Sequence, residues 1–230
     1  MTSETARPAP SDSPKDSLRD RNRQLARDVV LDAAERLLQA SPNAEFSMRA
    51  LAAEAGVGFA TPFNHFGSKT AIMQALSARV IERMSARFRD ERPEGDAIDR
   101  VLAMGRIGAA VLLEKPDVSK AVVGSLGLVS PTPSSVRPKS EVLWVQALGD
   151  CAGLDPAHRT LGRALLPQQL AFSFRGCVSF WIAGELSNSM LPEAFRAGTL
   201  TLLLGFAEPA RRAAMTIELR PLPLAPSVKT

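Results

Sequence analysis

The chain reads as an all-α protein. Three observations predict this. Apolar residues recur at spacings of three and four through most of the 230 residues, the pattern of helices buried on one face. No stretch alternates apolar and polar residues between turn dipeptides, as a half-buried strand would. Hydrophobic residues make up 45% of the chain, enough for a core and too many for wholesale disorder.

Residues 1–16 are rich in proline, serine and threonine. They bury too little to offset chain entropy and are expected to form a disordered arm. From Asp16 the pattern changes. Leu25, Val29, Val30, Ala33, Ala34, Leu37 and Leu38 mark an amphipathic helix ending before Pro42, with Arg23, Arg27, Asp28, Asp32, Glu35 and Arg36 on its polar face. Ser47 stands where an N-cap belongs. Met48, Leu51, Ala52 and Ala55 follow at helical spacing, and Gly56 suits a left-handed C-terminal residue. A second short helix is expected at 58–65 with Gly58 as its N-cap, broken by Gly67-Ser68. Ile72, Leu76, Val80, Met84 and Phe88 repeat every fourth residue, which predicts one straight helix stopping near Pro93. Further helices are expected over 95–114, 117–128, 140–153, 156–186 (interrupted at Pro167) and 192–213, about nine in all. The expected division is an arm 1–16, a domain of short helices 17–68, a larger helical domain 69–220 and a Pro-rich tail 221–230.

Composition excludes several functions. Two Cys and two His furnish neither a disulfide framework nor a His-rich metal cluster. The apolar runs, such as Ile107–Leu113, fall far short of the roughly 20 residues that span a membrane. The N-terminus lacks the apolar segment of a secretory signal. A soluble cytoplasmic protein is expected, with no membrane partner, metal or cofactor. The net charge is only +4, and residues 1–90 carry 13 basic and 11 acidic side chains, so composition alone announces no nucleic-acid partner. No Ser-His-Asp, H-E-x-x-H, paired-carboxylate or Gly-rich phosphate pattern occurs at useful spacing, and Gly124-Ser125-Leu126-Gly127 lacks the strand-turn-helix context of a hydrolase elbow. An enzyme is not expected.

The information lies in the head. The helix at 47–55, the turn at Gly56 and the helix at 58–65 make a helix-turn-helix, with Leu51, Ala52 and Val57 holding the pair at an open angle. The second helix would enter the major groove. Three linked strings are more specific: Val30-Leu-Asp-Ala-Ala-Glu-Arg-Leu-Leu38, Phe46-Ser-Met-Arg-Ala-Leu-Ala-Ala-Glu-Ala-Gly-Val57 and Thr61-Pro-Phe-Asn-His-Phe-Gly-Ser-Lys69. Together, over about residues 20–75, they resemble the DNA-binding domain of TetR-family transcriptional regulators. The resemblance implies an all-α fold with an N-terminal three-helix helix-turn-helix DNA-binding head at 17–68, a fourth helix leading into a larger helical ligand-binding (effector-binding) and dimerisation body at 69–220, and a homodimer. Two positions depart from it. The family usually carries Tyr, whose phenol commonly reaches a phosphate, where Phe63 stands, and an aliphatic residue where Pro62 stands. With Gly58 as N-cap, Pro62 would be the fourth helical residue and forfeit an early hydrogen bond.

The candidate DNA-binding residues are Ser47, Arg49, Gly58, Phe59, Ala60, Thr61, Phe63, Asn64, His65 and Lys69. Lys69 combines a cation with a helix N-terminus, an arrangement that favours phosphate. Thr61 and His65 are donors to phosphate or base edges, Asn64 is the one bidentate amide, and Phe59 and Ala60 suit thymine methyls. Arg49 reaches phosphate or a base, and Arg19, Arg21 and Arg23 on the entering arm reach the neighbouring groove or backbone. Other readings stay open: Phe63 and Phe66 as core, His65 as a cap of its own helix, Arg49 and the arginine arm as solvated charge.

In the body, 156–186 and 192–213 are apolar on more than one face, which suits a four-helix dimer interface or a monomeric core. Met84, Met104, Trp144, Phe172 and Arg175 are the candidate ligand-binding residues. Arg175 lies among Phe172, Phe174, Cys177 and Phe180 and needs a partner. That partner is an anionic group of an otherwise apolar effector, a carboxylate across a dimer, or solvent at the rim. Cys151 and Cys177 read as inert thiols. The function expected is a ligand-responsive repressor that binds double-stranded palindromic operator DNA as a homodimer and is released by a small, mainly apolar effector. The alternative is a helical small-molecule-binding or adaptor protein without DNA binding.

Overall fold

The computed structural model describes residues 14–41, 45–127, 134 and 136–219. The expected arm, for the most part, and the Pro-rich tail lie outside these residues. Ten α-helices occur among the described residues: α1 (Pro14–Ala40), α2 (Met48–Glu54), α3 (Ala60–Phe66), α4 (Lys69–Glu91), α5 (Ala97–Leu113), α6 (Pro116–Gly124), α7 (Val136–Leu148), α8 (Arg159–Ile182), α9 (Leu191–Leu203) and α10 (Pro209–Glu218), with a 3-10 turn at Ser125–Gly127. The protein is all-α. Its contacts divide it into two units, Met1–Lys69 and Thr70–Thr230.

In the first unit α1 packs against α2 and α3. It buries Val30, Leu31, Ala33, Ala34 and Leu38, whereas Leu25 and Val29 are exposed. The packed stripe is therefore narrower than the spacing suggested, because only the C-terminal half of α1 meets a partner. Arg19, Arg21 and Arg23 are exposed residues within α1, not on an extended arm.

Helix α2 is fixed at both ends by its own sequence. Ser47 has extended backbone, and its side chain accepts a hydrogen bond from the Ala50 N–H at 3.1 Å, closing one of the free donors of the first turn. Phe46 and Leu51, both buried, occupy the two positions of a hydrophobic staple. At the other end Gly56 has φ +65, and the N–H groups of Gly56 and Val57 bond the carbonyls of Ala53 and Ala52. These two bonds form a Schellman motif, which needs the left-handed residue that glycine supplies.

Helix α3 differs from expectation by two residues. It starts at Ala60 with Phe59 as N-cap, while Thr61 N–H bonds the Gly58 carbonyl at 2.8 Å in the preceding turn. Pro62 is thus the third helical residue rather than the fourth. Its missing N–H falls among the donors that a helix leaves unpaired in any case, and its ring is buried.

In the second unit the four-residue stripe of α4 is buried as a whole, from Ile72 to Phe88. Asp96 and Asp99 form a reciprocal capping box at the start of α5. Arg211 of α10 pairs with both, at 2.7 and 2.6 Å. Arg100 closes the C-terminal end of α7, donating to the Ala147 and Leu148 carbonyls and to Asp150. That hydrogen bond holds the Asp150 carboxyl below the usual carboxylate range.

Helix α8 runs through Pro167 without ending there, contrary to the expected interruption. It packs along α7 and α9, so tertiary contact holds the turn that proline weakens. The single helix expected over 192–213 is two, α9 and α10. Pro209 opens the second at a first-turn position where its missing N–H costs nothing, and Ala207 bridges back to Leu154.

The centre of the body is aromatic. Trp144 of α7 stacks on Phe195 of α9 at 5.3 Å, and Phe174 of α8 meets both rings. Gly105 of α5 makes room for this cluster, since a Cβ there would lie 1.9 Å from Phe195 Cε1. Phe195 is 1% exposed and its ring is held by two others, so it cannot step aside cheaply. Gly105→Ala should therefore destabilise the body by about 1–3 kcal/mol. Adding Phe195→Leu should recover part of that loss in urea unfolding, where an additive pair would show none of the coupling.

Candidate functional site

The outward surface of the head is built by the short helix α3. Phe59, Ala60, Phe63 and Asn64 are exposed, with spacings of one, four and five that put them on one helical face. Pro62 is buried and Thr61, His65 and Phe66 are half-buried. Phe59 is 59% exposed and Phe63 39%, and their rings meet edge-on at 5.5 Å. The reading of Phe63 as core is thereby corrected: α3 turns this ring away from α1 and α2. Ser47, Arg49, Gly58 and Lys69 are also exposed.

Two cations fix this surface from below. Arg27 of α1 donates to the carbonyl of His65 and lies over the Phe66 ring at 4.2 Å. It closes the C-terminal end of α3, where free carbonyls and the helix dipole favour a cation. The ammonium of Lys69 lies 4.9 Å from the centroid of Phe46, so the residue that precedes the Ser47 cap also positions the first residue of α4. Arg36 pairs with Glu54 at 2.6 Å and ties α1 to α2.

The body contains a cavity of about 280 Å³. Its wall is mainly apolar, with Val80, Ile81 and Met84 from α4, Leu143 from α7, and Ala171, Phe172, Phe174 and Val178 from α8. Two charged residues join them, Arg137 and Arg175. Of the five candidate ligand-binding residues, Met84, Phe172 and Arg175 line this cavity. Met104 and Trp144 lie in the packed core, where Trp144 supports the lining ring of Phe174 from behind. Arg175 donates one hydrogen bond, from Nη1 to the Val123 carbonyl at 3.1 Å. Burial pulls its pKa below the usual guanidinium value. Burial also pushes the Cys177 thiol up, which keeps it protonated at neutral pH. No group of three or more possible metal ligands occurs among the described residues, and no described helix is long and apolar enough to cross a membrane.

Residues 30–76 match the family model of bacterial regulatory proteins of the tetR family. Over that stretch the chain is similar to the N-terminal domain of the tetR family. Solved structures resemble it over most of its length. A TetR transcriptional regulator from Rhodococcus sp. RHA1 superposes with a TM-score of 0.64 at 25% identity, over 78% of this chain and 97% of that one. A protein of unknown function from the same organism gives 0.52 at 23% identity, over 80% and 96%. No curated protein matches the sequence.

Of the candidate residues, Phe59 to Thr61 and Phe63 to His65 lie at the start of or within α3, Gly58 just before it and Lys69 just after it, while Ser47 and Arg49 open α2; sequence reasoning missed what supports them. The sequence puts Arg27 on the polar face of α1. Its partner is a backbone carbonyl 38 residues away, and no side-chain pattern signals a bond of that kind. The cavity wall was missed in larger part, because Ile81, Val123 and Ala171 meet only after folding. Arg27→Ala should loosen α3 by about 1–3 kcal/mol, from the lost hydrogen bond and cation–π contact. Hydrogen exchange tests this: α3 amides should exchange faster while those of α8 and α9 stay unchanged.

Proposed function

We propose that this protein is a regulator of the TetR family, a cytoplasmic, ligand-responsive repressor rather than an enzyme. It binds a palindromic operator as a homodimer and is released when a small molecule fills the cavity of the body. The observation that carries the reading is the exposed row Phe59, Ala60, Phe63 and Asn64 on α3. Two phenyl rings held in water at the start of a short helix gain by meeting apolar groups, and thymine methyls in the major groove are such groups. Asn64 adds a bidentate amide for adenine. Arg49 and Lys69 supply phosphate contacts that set register rather than sequence.

Dimerisation is supported by α8. Leu161, Leu165, Phe172 and Phe180 are exposed large apolar residues at spacings of four, seven and eight, one continuous face. Gly176 lies within this face with nothing within 4 Å of a Cβ built on it, which leaves room for a second copy to approach. Two such faces make a self-complementary contact. Helix α4 supports the coupling: it begins at Lys69 and contributes Ser77, Val80, Ile81 and Met84 to the cavity wall. A ligand acts through it only by favouring one of two states over the other.

Gel shifts across genomic fragments at several salt concentrations test the reading. Sequence-selective, salt-sensitive binding is expected. A folded, ligand-binding protein that retains no fragment would make it a helical ligand-binding protein instead. Lys69→Ala and Arg49→Ala should each weaken binding on every sequence and lower the salt slope by about 1. Phe63→Tyr places its added hydroxyl on an exposed edge. It should change stability by less than about 0.5 kcal/mol and tighten DNA binding several-fold, the worth of one added hydrogen bond of about 1 kcal/mol. Unchanged affinity would make this position a packing residue alone.

A further inference from the structure

We propose that the ligand of this cavity is an amphipathic organic anion, a carboxylate on a compact apolar body, held by the guanidinium of Arg175. The inference rests on the cavity being the effector site and names the chemistry of what fills it.

Arg175 has no counter-charge among the described residues. Arg175 is half-buried and lies among Ala171, Phe172, Phe174 and Val178. A guanidinium has five N–H donors, and among the described residues only one is used, toward the Val123 carbonyl. Every other cavity-wall residue is neutral except Arg137, which is paired with Glu141 at 3.1 Å. The wall contains no carboxylate. Nor does the neighbouring stretch 128–135 in sequence, Leu-Val-Ser-Pro-Thr-Pro-Ser-Ser. An unpaired cation facing apolar surface is costly, and an anion that neutralises it there gains more than it would in water.

Arg175 is also pre-positioned. Its bond to Val123 ties α8 to α6 and fixes the side chain while leaving its other donors for a planar, bidentate partner. The rest of the wall sets the tail. It is aliphatic and aromatic, and a volume of about 280 Å³ holds on the order of ten water-sized groups. A metal-bound or polyphosphate ligand would leave most of its polar surface against Val80, Met84, Leu143 and Val178, whereas a medium-chain or aryl carboxylate would not.

The test compares octanoate, 1-octanol and octylamine on the intact protein by calorimetry and thermal shift. Octanoate is expected to bind at least about tenfold more tightly than either analogue. Arg175→Met keeps the apolar stem, and it should remove that preference while leaving octanol binding within about threefold. Arg175→Lys should retain part of the preference, and circular dichroism on both variants shows whether the fold survives. Equal binding of the three probes, or none by octanoate, overturns the proposal without requiring any variant to fold. An Arg175→Met variant that keeps its octanoate affinity but loses its dimer also overturns it, because the counter-charge then comes from the second copy. The two readings fail separately. Octanoate binding through Arg175 without any DNA binding would end the regulator reading and leave the anion site, and DNA release by a neutral compound alone would do the reverse.

Discussion

Arg27 holds the end of a helix that cannot hold itself. Helix α3 has seven residues, well below the length at which an isolated helix persists in water. Its stability comes from outside: the Schellman turn at Gly56 that launches the chain toward it, the burial of Pro62, and the guanidinium of Arg27 on the His65 carbonyl and the Phe66 ring. Because these contacts all lie on the inner face, Phe59, Phe63 and Asn64 remain free on the outer one. What the head presents to a partner depends on that division.

The same economy of charge explains how a chain of net charge +4 serves a DNA-binding fold. Much of its arginine content is spent internally, on Asp96 and Asp99, on the end of α7, and on the end of α3. Arg49 and Lys69 remain exposed, as the proposed phosphate contacts require. Arg175 is the exception in the body. It is neither exposed nor paired with a carboxylate among the described residues, and for that reason it marks the cavity as a place for a charged ligand.

Much of this was legible in the sequence, and for identifiable reasons. Ser47, Gly56 and the stripe from Ile72 to Phe88 act through local rules of capping and period, and they lie where those rules put them. Pro167, Phe63 and Val29 went astray because each outcome depends on which neighbour covers the residue. Packing along α7 and α9 carries α8 through Pro167, whereas Phe63 and Val29 are left partly exposed. The break between α9 and α10 is marked in the sequence by Gly205 and Pro209, which helical spacing alone does not register. The cavity was only partly legible. Composition pointed to Met84, Phe172 and Arg175, while the choice of Phe174 over Trp144 as the lining ring is a property of the packed cluster.

If ligand and DNA are alternatives linked through one protein, as proposed, each must weaken the other reciprocally. The most direct measurement is a two-way titration: operator affinity by fluorescence anisotropy with and without saturating ligand, and ligand affinity by calorimetry with and without operator. The account predicts that each weakens the other by the same factor, on the order of 5–150-fold. Ligand binding with equal affinity to free and DNA-bound protein would contradict it.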